Sequence, residues 1–375
     1  MKKMLAWIKQ ETVLSAAFVL ALVSCFFVPP DRGYLAYPDY RTLALLFCLM
    51  IIVAGLQQLG LFSLLGQGLV KKAHSLRMLY TIMILLCFFS SMIITNDVTL
   101  ITFVPFTILV FRMIDREDRV LKLIVLETIA ANLGSMATPI GNPQNLYLYS
   151  MSNMPFADFA WAVWPYTALA LVLLIASIRT VREEPLVSGL RDNMPHETVR
   201  VPNLRRSALP YLILLGLCLL VVFRVLPYAP VLVIVALVIF VIARNLFLHV
   251  DYALLATFLC FFVFIGNIKR IPAVSDLLVS LMAGRELGCG ILTSQIISNV
   301  PAAILLSGFT SDLSTLLTAV NLGGLGTLVA SLASLISFKF FSRAYPTKKA
   351  VFLRNFTLWN LGFLVLLTLL AIVLG

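Results

Sequence analysis

The chain has 375 residues, of which 61% are hydrophobic and only 12% are charged. A soluble globular domain is about half apolar and a quarter charged, so this composition excludes an ordinary soluble protein and predicts many membrane-spanning helices. The formal net charge is +11. Because the basic residues lie between apolar runs and form no single face, this charge indicates membrane topology and not a nucleic-acid partner.

Reactive side chains form no recognisable catalytic or metal pattern in the sequence. The six cysteines lie within or beside apolar runs without a Cys-x-x-Cys pair, and the three histidines are scattered through predicted loops. We therefore predict packing roles for the cysteines, no transition-metal site and no cofactor apart from a coupling ion. The sequence also has no Walker-type loop and no nucleophile–base pair, so it predicts no enzyme.

The first apolar run, at about 12–29, follows three lysines and contains a Leu-Val-Ser-Cys stretch that ends at Cys25. This stretch is similar to a lipoprotein cleavage box, so a cleaved signal peptide is one interpretation. However, the apolar run continues past Cys25, and Glu11 lies in the basic region. We therefore expect a retained transmembrane helix within residues 1–36.

Further apolar runs approach the roughly 20 residues that a helix needs to cross the hydrocarbon. The uninterrupted ones lie at about 41–66, 159–178, 207–223, 229–248, 251–267 and 355–374. Two others, at about 122–150 and 313–341, are interrupted near their middles. The last two, at 78–111 and 287–309, carry polar breaks between apolar arms, and we interpret them as re-entrant helical hairpins.

Loop charge predicts the orientation of these elements in the membrane. With a cytoplasmic N-terminus and two re-entrant hairpins, 22 of the 28 lysines and arginines lie in the cytoplasm. Both ends of the first hairpin are basic, so both ends belong on the cytoplasmic side. The prediction is nine crossings in a bacterial inner membrane, with the C-terminus outside.

The two halves of the chain share a repeated pattern. Asp39-Tyr40 and Cys48 recur at an offset of 212, Asn96 recurs as Asn299, and Asn132-Leu133-Gly134 recurs at an offset of 189. Because five crossings separate the starts of the two copies, we predict inverted-topology repeats. The predicted organisation is an N-terminal helix in 1–36, repeat 1 in 37–180, a polar cytoplasmic linker in 181–206, connecting helices in 207–248 and repeat 2 in 249–375.

Four polar breaks at corresponding places are predicted to meet in the middle of the bilayer. Non-helical backbone is tolerated there only where protein or water surrounds it. The end of one half-helix offers free carbonyls to Na⁺, and the start of the next offers N–H groups to an anion. The breaks are Thr95-Asn96-Asp97, Thr138 to Asn145, Ser298-Asn299-Val300-Pro301, and Thr327 to Ser334.

Asp97 is the acidic residue inside a hairpin, and its counterpart in the other half is Val300. A carboxylate at membrane depth is costly and indicates function by default. From the sequence, Asp97 binds Na⁺, carries a proton, or caps the helix that follows it. The neutral Val300 makes the halves chemically unequal, which favours a role in cation coupling.

The stretch 132–145, NLGSMATPIGNPQN, resembles the signature of the ion transporter superfamily, which includes citrate transporters, divalent anion:sodium symporters, arsenite pumps and some Na⁺/H⁺ antiporters. The two hairpin tips resemble the paired Ser-Asn-Thr motifs of its dicarboxylate branch. The resemblance implies two re-entrant hairpins, two unwound helices, a homodimer and elevator-like motion.

By motif position, the resemblance also implies which residues bind ions and substrate. The implied Na⁺ sites are near Asn96 with Gly141 and near Asn299 with Ala330, and we predict that Thr95, Asp97 and Ser298 at the tips also bind the cation. The implied substrate contacts are Asn96, Asp97, Asn142, Asn299, Val300 and Ser331, and we add the neighbouring Pro143.

Asp97 and Val300 depart from the dicarboxylate branch, which has threonine at both positions. An acid at the tip repels a carboxylate unless it is protonated or paired with a cation. The Asn-Asp tip is closer to that of arsenite carriers. The sequence therefore predicts a secondary carrier of a small anion, a carboxylate or inorganic oxyanion, coupled to Na⁺ or H⁺. A Na⁺/H⁺ antiporter and an arsenite-type oxyacid exporter are the alternatives.

Overall fold

The computed structural model describes residues 11–186 and 204–374, and within these ranges the chain is helical throughout with no β-strand. The basic start of the chain and residues 187–203, which make up most of the predicted 181–206 linker, lie outside the described residues. The helices that the structure describes are α1 (Thr12–Phe27), α2 (Tyr40–Gln58), α3 (Leu61–Val70), α4 (Leu76–Ile94), α5 (Asn96–Met113), α6 (Val120–Ser135), α7 (Pro143–Ser152), α8 (Phe156–Arg179), α9 (Leu204–Val222), α10 (Tyr228–Ala243), α11 (Tyr252–Lys269), α12 (Pro272–Met282), α13 (Glu286–Ile297), α14 (Asn299–Ser307), α15 (Leu313–Leu322), α16 (Leu332–Ala344) and α17 (Lys349–Leu374).

Seven helices in the described part of the chain are long and apolar enough to cross a membrane. They are α2, α4, α5, α8, α10 with the turn after it, α11, and α17 with the turn before it. A further candidate is the pair α12 and α13, whose axes meet at 110°. The protein is therefore an all-α, multi-pass membrane protein, which confirms that part of the sequence prediction.

The structure contains two short helices, α3 and α12, that the sequence did not predict. The prediction of one uninterrupted helix at 41–66 is wrong, because α2 ends before Gly60 and α3 begins after it. Gly60 has a φ of +69°, a left-handed conformation that glycine adopts without steric cost. Helix α12 was not predicted at all, although it starts with Pro272 at its first position and is followed by the left-handed Gly284.

Each half contains two helices that fold back on each other. Thr95 alone joins α4 to α5, and Ser298 alone joins α13 to α14. The two helices of each pair pack side by side, so the chain reverses direction at the joining residue. We call α4–α5 the first hairpin and α13–α14 the second hairpin, with tips at Thr95 and Ser298.

Each half also contains a helix that is interrupted by unwound backbone. Residues 136–142 separate α6 from α7, and residues 323–331 separate α15 from α16. We call these segments the first break and the second break. Pro143 opens α7, where a missing N–H costs nothing, and the Oδ1 atom of Asn142 accepts a hydrogen bond from the Asn145 N–H at 2.9 Å.

The hairpins and the broken helices form one packed unit around α6, most of whose side chains are fully buried. Each hairpin packs against the broken helix of its own half, through α4 with α6 and through α13 with α15. Each hairpin also packs against the second part of the broken helix of the other half, through α5 with α16 and through α14 with α7. Outside this unit, α1 packs on α11, and α9 and α10 pack on α2.

Gly134 allows the first hairpin to approach α6 closely. A Cβ atom at this position would lie 2.1 Å from the carbonyl oxygen of Phe88 on α4. We expect Gly134→Ala to lower the free energy of unfolding by about 1–3 kcal/mol, because backbone must move to relieve the clash. Gly216→Ala in α9 is the matched control, since nothing lies within 4 Å of its added methyl group. Equal thermal stability of the two variants in detergent would contradict this packing.

Candidate functional site

The two hairpin tips share one unusual backbone conformation. Thr95 has φ 69° and ψ 154°, and Ser298 has φ 75° and ψ 154°. This region is essentially restricted to glycine and costs other residues about 1–3 kcal/mol. Asn96 and Asn299 follow the tips directly, and both side chains are buried. The match supports the equivalence of the two tips, and strained backbone of this kind clusters at functional sites.

The strain at the tips leads to a prediction about Thr95. We expect Thr95→Gly to keep the free energy of unfolding unchanged or to raise it by up to about 2 kcal/mol, because glycine adopts this conformation freely. We expect transport to fall in the same variant, because a relaxed tip no longer holds Asn96 in place. Thermal stability and flux, measured on one preparation, check both parts. A strong loss of stability would show that the strain is absent.

The first tip contacts the first break directly. The backbone N–H of Asn96 donates to the carbonyl oxygen of Gly141 at 3.2 Å. The Oδ1 atom of Asn96 accepts from the Asp97 N–H at 3.0 Å. Gly141 is required here, because a Cβ atom would lie 2.0 Å from the carbonyl oxygen of Ser135. The second tip is arranged in a related way, since the Ser298 hydroxyl donates to the carbonyl oxygen of Ala330 at 3.4 Å.

Asn132 on α6 joins the first tip to the second break. Its Oδ1 atom accepts hydrogen bonds from Asn96 Nδ2 and from the Ser331 hydroxyl, both at 3.0 Å. Its Nδ2 atom donates to the Ser334 hydroxyl at 3.3 Å. All four side chains are buried. A single amide therefore connects elements from both halves of the chain.

Asn321 on α15 makes the reciprocal contacts. Its Oδ1 atom accepts from Asn142 Nδ2 at 3.1 Å, and its Nδ2 atom donates to Asn145 Oδ1 at 2.7 Å. At the repeat offset of 189, Asn132 corresponds to Asn321, Asn142 to Ser331 and Asn145 to Ser334. The equivalent asparagine of each half is thus hydrogen-bonded to the same two equivalent positions of the other half. We call these six residues the amide network.

The unwound backbone of both breaks is hydrogen-bonded by side chains, as burial in a membrane protein requires. Gln295 on α13 donates from Nε2 to the carbonyl oxygens of Gly323 at 2.8 Å and Leu325 at 2.9 Å, and its Oε1 atom accepts from the Thr327 N–H at 2.9 Å. In the first break, Asn145 Nδ2 donates to the carbonyl oxygens of Met136 and Thr138. These hydrogen bonds stabilise the non-helical backbone of the two breaks.

A cavity lies beside each tip. The first has a volume of about 210 Å³, and Thr95, Asp97, Asn142 and Pro143 line it. The second has a volume of about 300 Å³ and is lined by residues of the second tip, of α11 and of α16, among them Ser298, Val300, Pro301 and Lys339. Asp251 and Leu254, at the start of α11, line both cavities. The two tips therefore face opposite sides of the same helix end.

The predicted site residues are brought together only in part. Asp97, Asn142 and Pro143 line the first cavity, whereas Val300 lines the second. Ser331 belongs to the amide network, and Asn96 is hydrogen-bonded to it through Asn132. Asn299 lies against Gly324 of the second break. In this conformation no one cavity is lined by all seven predicted substrate contacts among the described residues.

Asp97 is half-buried in the first turn of α5. Within the described residues its carboxylate accepts no hydrogen bond, and the side chain does not cap the helix. The carboxylate instead lines the first cavity together with Asp251 and His249. The capping alternative is therefore not supported, and the carboxylate is free to interact with a cation in the cavity.

Sequence reasoning missed the roles of three amide side chains and one lysine at the site. Asn132 and Asn321 were recognised as repeat markers but not as residues that connect the halves, and Gln295 was not considered. The signal was present, because each is an amide side chain within an otherwise apolar stretch. Lys339, which lines the second cavity, lies 38 residues after Pro301 of the tip motif in its half and carried no such signal.

A larger cavity, of about 530 Å³, lies away from the tips. The ends of α7 and α11 and the start of α2 line it, and it contains Asp39, Arg41 and Lys269. Asp39 caps α2 through the Thr42 N–H, as Asp251 caps α11 through the Leu254 N–H. Asp39 and Asp251, which are equivalent at the repeat offset of 212, thus have the same capping role. Asp39 lies beside this cavity, and Asp251 lies beside the two tip cavities.

Polar backbone breaks inside a bundle of apolar helices are typical of secondary membrane transporters. Comparison with known proteins agrees with this class. The chain belongs to the citrate transporter family, whose model matches residues 4–317.

Individual relatives cover most of the chain. The inner membrane protein YbiR of Escherichia coli is 34% identical over 84% of this chain and 83% of its own length. An uncharacterized transporter of Methanocaldococcus jannaschii is 31% identical over 80% of this chain and 81% of its own length. The human P protein is 29% identical over 45% of this chain, which corresponds to 21% of its own length.

Proposed function

We propose that this transporter is a secondary active carrier of a small anion, a carboxylate or an inorganic oxyanion, coupled to Na⁺ or H⁺. The observation that carries the proposal is the amide network, which links both breaks and the first tip in a buried position. Neutral amides and hydroxyls beside free helix ends suit ions that must bind and then leave. The family and the name of the archaeal relative support transport in general.

The proposed architecture is a pair of inverted repeats, α2–α8 and α11–α17. The reciprocal contacts of Asn132 and Asn321, the matching tip conformations and the matching caps at Asp39 and Asp251 support it. Each arm of the first hairpin is long enough to cross the bilayer by itself. Its tip nevertheless contacts the first break within a membrane helix, so we propose that the hairpin is re-entrant.

The proposed orientation places the N-terminus in the cytoplasm and the C-terminus outside, in a bacterial inner membrane. Basic residues at both ends of the first hairpin support it, because cytoplasmic loops are enriched in lysine and arginine. The two tip cavities then open toward the cytoplasm, next to the loop between α10 and α11, and the larger cavity lies on the outer side. We further propose that the packed unit of the two hairpins and the two broken helices moves like an elevator within a homodimer.

Two cation sites are proposed at the contacts between tips and breaks. The first comprises Thr95, Asn96, Asp97 and Gly141, and the second comprises Ser298, Asn299 and Ala330. Both offer backbone carbonyl and amide oxygens, the ligands that Na⁺ finds at broken helices. We propose that the anion contacts Asn96, Asn142, Asn299 and Ser331 from the tip cavities once the cations are bound.

One observation favours a second candidate function. Asp97 lies in the first cavity without a hydrogen-bond partner among the described residues, and Asp251 lines the same cavity. Two acids beside one cavity favour a cation and disfavour an anion unless a cation is present. A Na⁺/H⁺ antiporter, or an exporter of a weak oxyacid such as arsenite, is the alternative that this acidity supports.

Flux measurements on purified protein in liposomes test the proposal. We expect uptake of one member of a panel of labelled carboxylates and inorganic oxyanions, and we expect a Na⁺ or H⁺ gradient to be required. Proton release driven by Na⁺ without any anion would establish the antiporter instead. Extrusion of arsenite or another neutral oxyacid would establish the exporter. Absence of gradient-dependent uptake across the anion panel would overturn the anion-carrier proposal.

A further inference from the structure

Glu127 is a fully buried carboxyl group outside the candidate site. It lies on α6, between the cytoplasmic end proposed for that helix and Asn132, with no exposed surface. Its Oε1 atom lies 2.5 Å from the hydroxyl oxygen of Thr107 on α5. Its Oε2 atom has no hydrogen-bond partner in the described part of the chain. At the repeat offset of 189 the other half has Leu316, so the fold does not require an acid here.

Glu127 has no charged partner among the described residues. Tyr80 and Cys87 face it from α4, and the Tyr80 hydroxyl is already donated to the carbonyl oxygen of Arg119 at 2.5 Å. The helices α8, α15, α16 and α17 also pack against α6 and bring no charged group to this carboxyl among the described residues.

A carboxylate in this environment is strongly unfavourable. Burial of an ion without a paired charge costs several kcal/mol, and here one oxygen also lacks a donor. The neutral acid avoids that cost. The Thr107 hydroxyl still donates to Oε1, which is then the carbonyl oxygen, and the added proton lies on Oε2. An uncharged O–H group without an acceptor is much cheaper to bury than a carboxylate oxygen without a donor.

The position of this proton connects it to the candidate site. Helix α5 begins at the first tip, and α6 carries Asn132 five residues after Glu127, about 7.5 Å along the axis. The contact between Thr107 and Glu127 therefore holds together the two helices that bring Asn96 to Asn132. A charge on Glu127 would weaken the packing of α5 on α6 and so disturb that contact.

We propose that Glu127 is a proton-binding site of this carrier, separate from Asp97. The carboxylic acid holds its proton while Glu127 is shielded from water, and it releases the proton to water as hydronium when movement of the packed unit during transport exposes the carboxyl group. The inference rests on the proposed transport function and names H⁺ as an ion that the carrier moves. Because the equivalent position in the other half is Leu316, which cannot bind a proton, this pair of positions binds one proton per chain.

Infrared difference spectroscopy tests proton binding without any substrate. The experiment uses the full chain in lipid with Asp97→Asn, so that the acid of the tip does not contribute, and records spectra while the pH is raised. We expect a carbonyl stretching band from a protonated, buried carboxyl, which disappears when Glu127→Gln is added. Thr107→Val is expected to keep the band and shift its frequency and its pH midpoint, because the hydrogen bond is lost. Superimposable spectra with and without Glu127→Gln would overturn the proposal.

Proton-driven flux then tests the coupling. Glutamine matches the neutral acid in shape, so we expect Glu127→Gln to keep its thermal stability within about 2 °C of the wild type. We expect its pH-gradient-driven uptake to fall at least tenfold, with exchange of substrate at equal pH retained. Unchanged gradient-driven uptake would contradict a coupling role even if the infrared band is assigned to Glu127. Should the wild type show no flux, the infrared result still decides whether Glu127 binds a proton, so the two failures are distinguishable.

Discussion

Replacing Asn132 with leucine is expected to abolish transport and to lower the free energy of unfolding by about 3 kcal/mol or more. The substitution keeps the volume roughly constant but removes three hydrogen bonds, to Asn96, Ser331 and Ser334. It leaves three buried polar groups without that partner, and each such group costs about 1–3 kcal/mol. Thermal unfolding in detergent and flux in liposomes, measured on the same preparation, check the two parts.

Asn360→Leu is the matched control for this prediction. Asn360 is also a fully buried asparagine on a membrane helix, but its only hydrogen bond is to the carbonyl oxygen of Phe356 in its own helix, and its Oδ1 atom is unpaired among the described residues. Leucine there removes an unpaired polar atom, so we expect unchanged or higher stability and normal flux. If both leucine variants behave alike, the amide network has no special importance for the fold or for transport.

The reciprocal variant Asn321→Leu extends the test to the other half. Its side chain contacts Asn142 and Asn145, the positions equivalent to Ser331 and Ser334. Under the inverted-repeat proposal, the losses of stability in Asn132→Leu and Asn321→Leu should be similar within about 1 kcal/mol. A loss in only one of them would show that the halves are not energetically equivalent.

Neutralising Asp97 is expected to remove cation coupling while leaving the protein folded. Asn is close to Asp in size, and the carboxylate makes no hydrogen bond within the described residues that the change would break. We therefore expect Asp97→Asn to keep its thermal stability but to lose at least tenfold in gradient-driven uptake. Uptake at rising Na⁺ concentration, and separately across a pH gradient, identifies which ion the carboxylate serves.

Asp276→Asn serves as the control for Asp97. This acid is exposed on α12 and lines neither tip cavity, so its removal should not change the dependence of uptake on Na⁺ or pH. Full cation-dependent uptake by Asp97→Asn would contradict a coupling role for Asp97. It would also favour cation sites made only of carbonyl and amide oxygens.

The sequence carried the main features of the fold because membrane helices obey simple rules. Runs of apolar residues located most of the long helices, and the polar interruptions at Asn96 and Asn299 coincide with the two tips. The sequence did not reveal the division at Gly60 or the helix that begins at Pro272, because a short helix after a turn has no length signal. A left-handed glycine, Gly60 or Gly284, lies beside each of these features, and the residue type alone does not show which glycines adopt that conformation.

The candidate site was only partly predictable, because long-range partners leave no local signature. Asn132 and Asn321 were visible as repeated polar residues, but their partners in the other half lie 176 to 202 residues away along the chain. Gln295 was equally visible, yet only the structure shows that it binds the backbone of the second break. The partition of Asp97 and Val300 into two cavities follows from the position of α11 between the tips, which periodicity does not determine.

The most direct measurement is a cross-link between the two halves at the amide network. In a variant without the six native cysteines, Asn132→Cys and Ser331→Cys should be joined rapidly by a short bifunctional thiol reagent in native membranes, because the wild-type side chains are in contact. Asn132→Cys with Ser280→Cys on the exposed face of α12 is the control pair and should not react. Mass spectrometry of the linked peptides reads the result. Efficient linking of the first pair alone is predicted, and its absence in protein that is folded and inserted would contradict a site built jointly by the two halves.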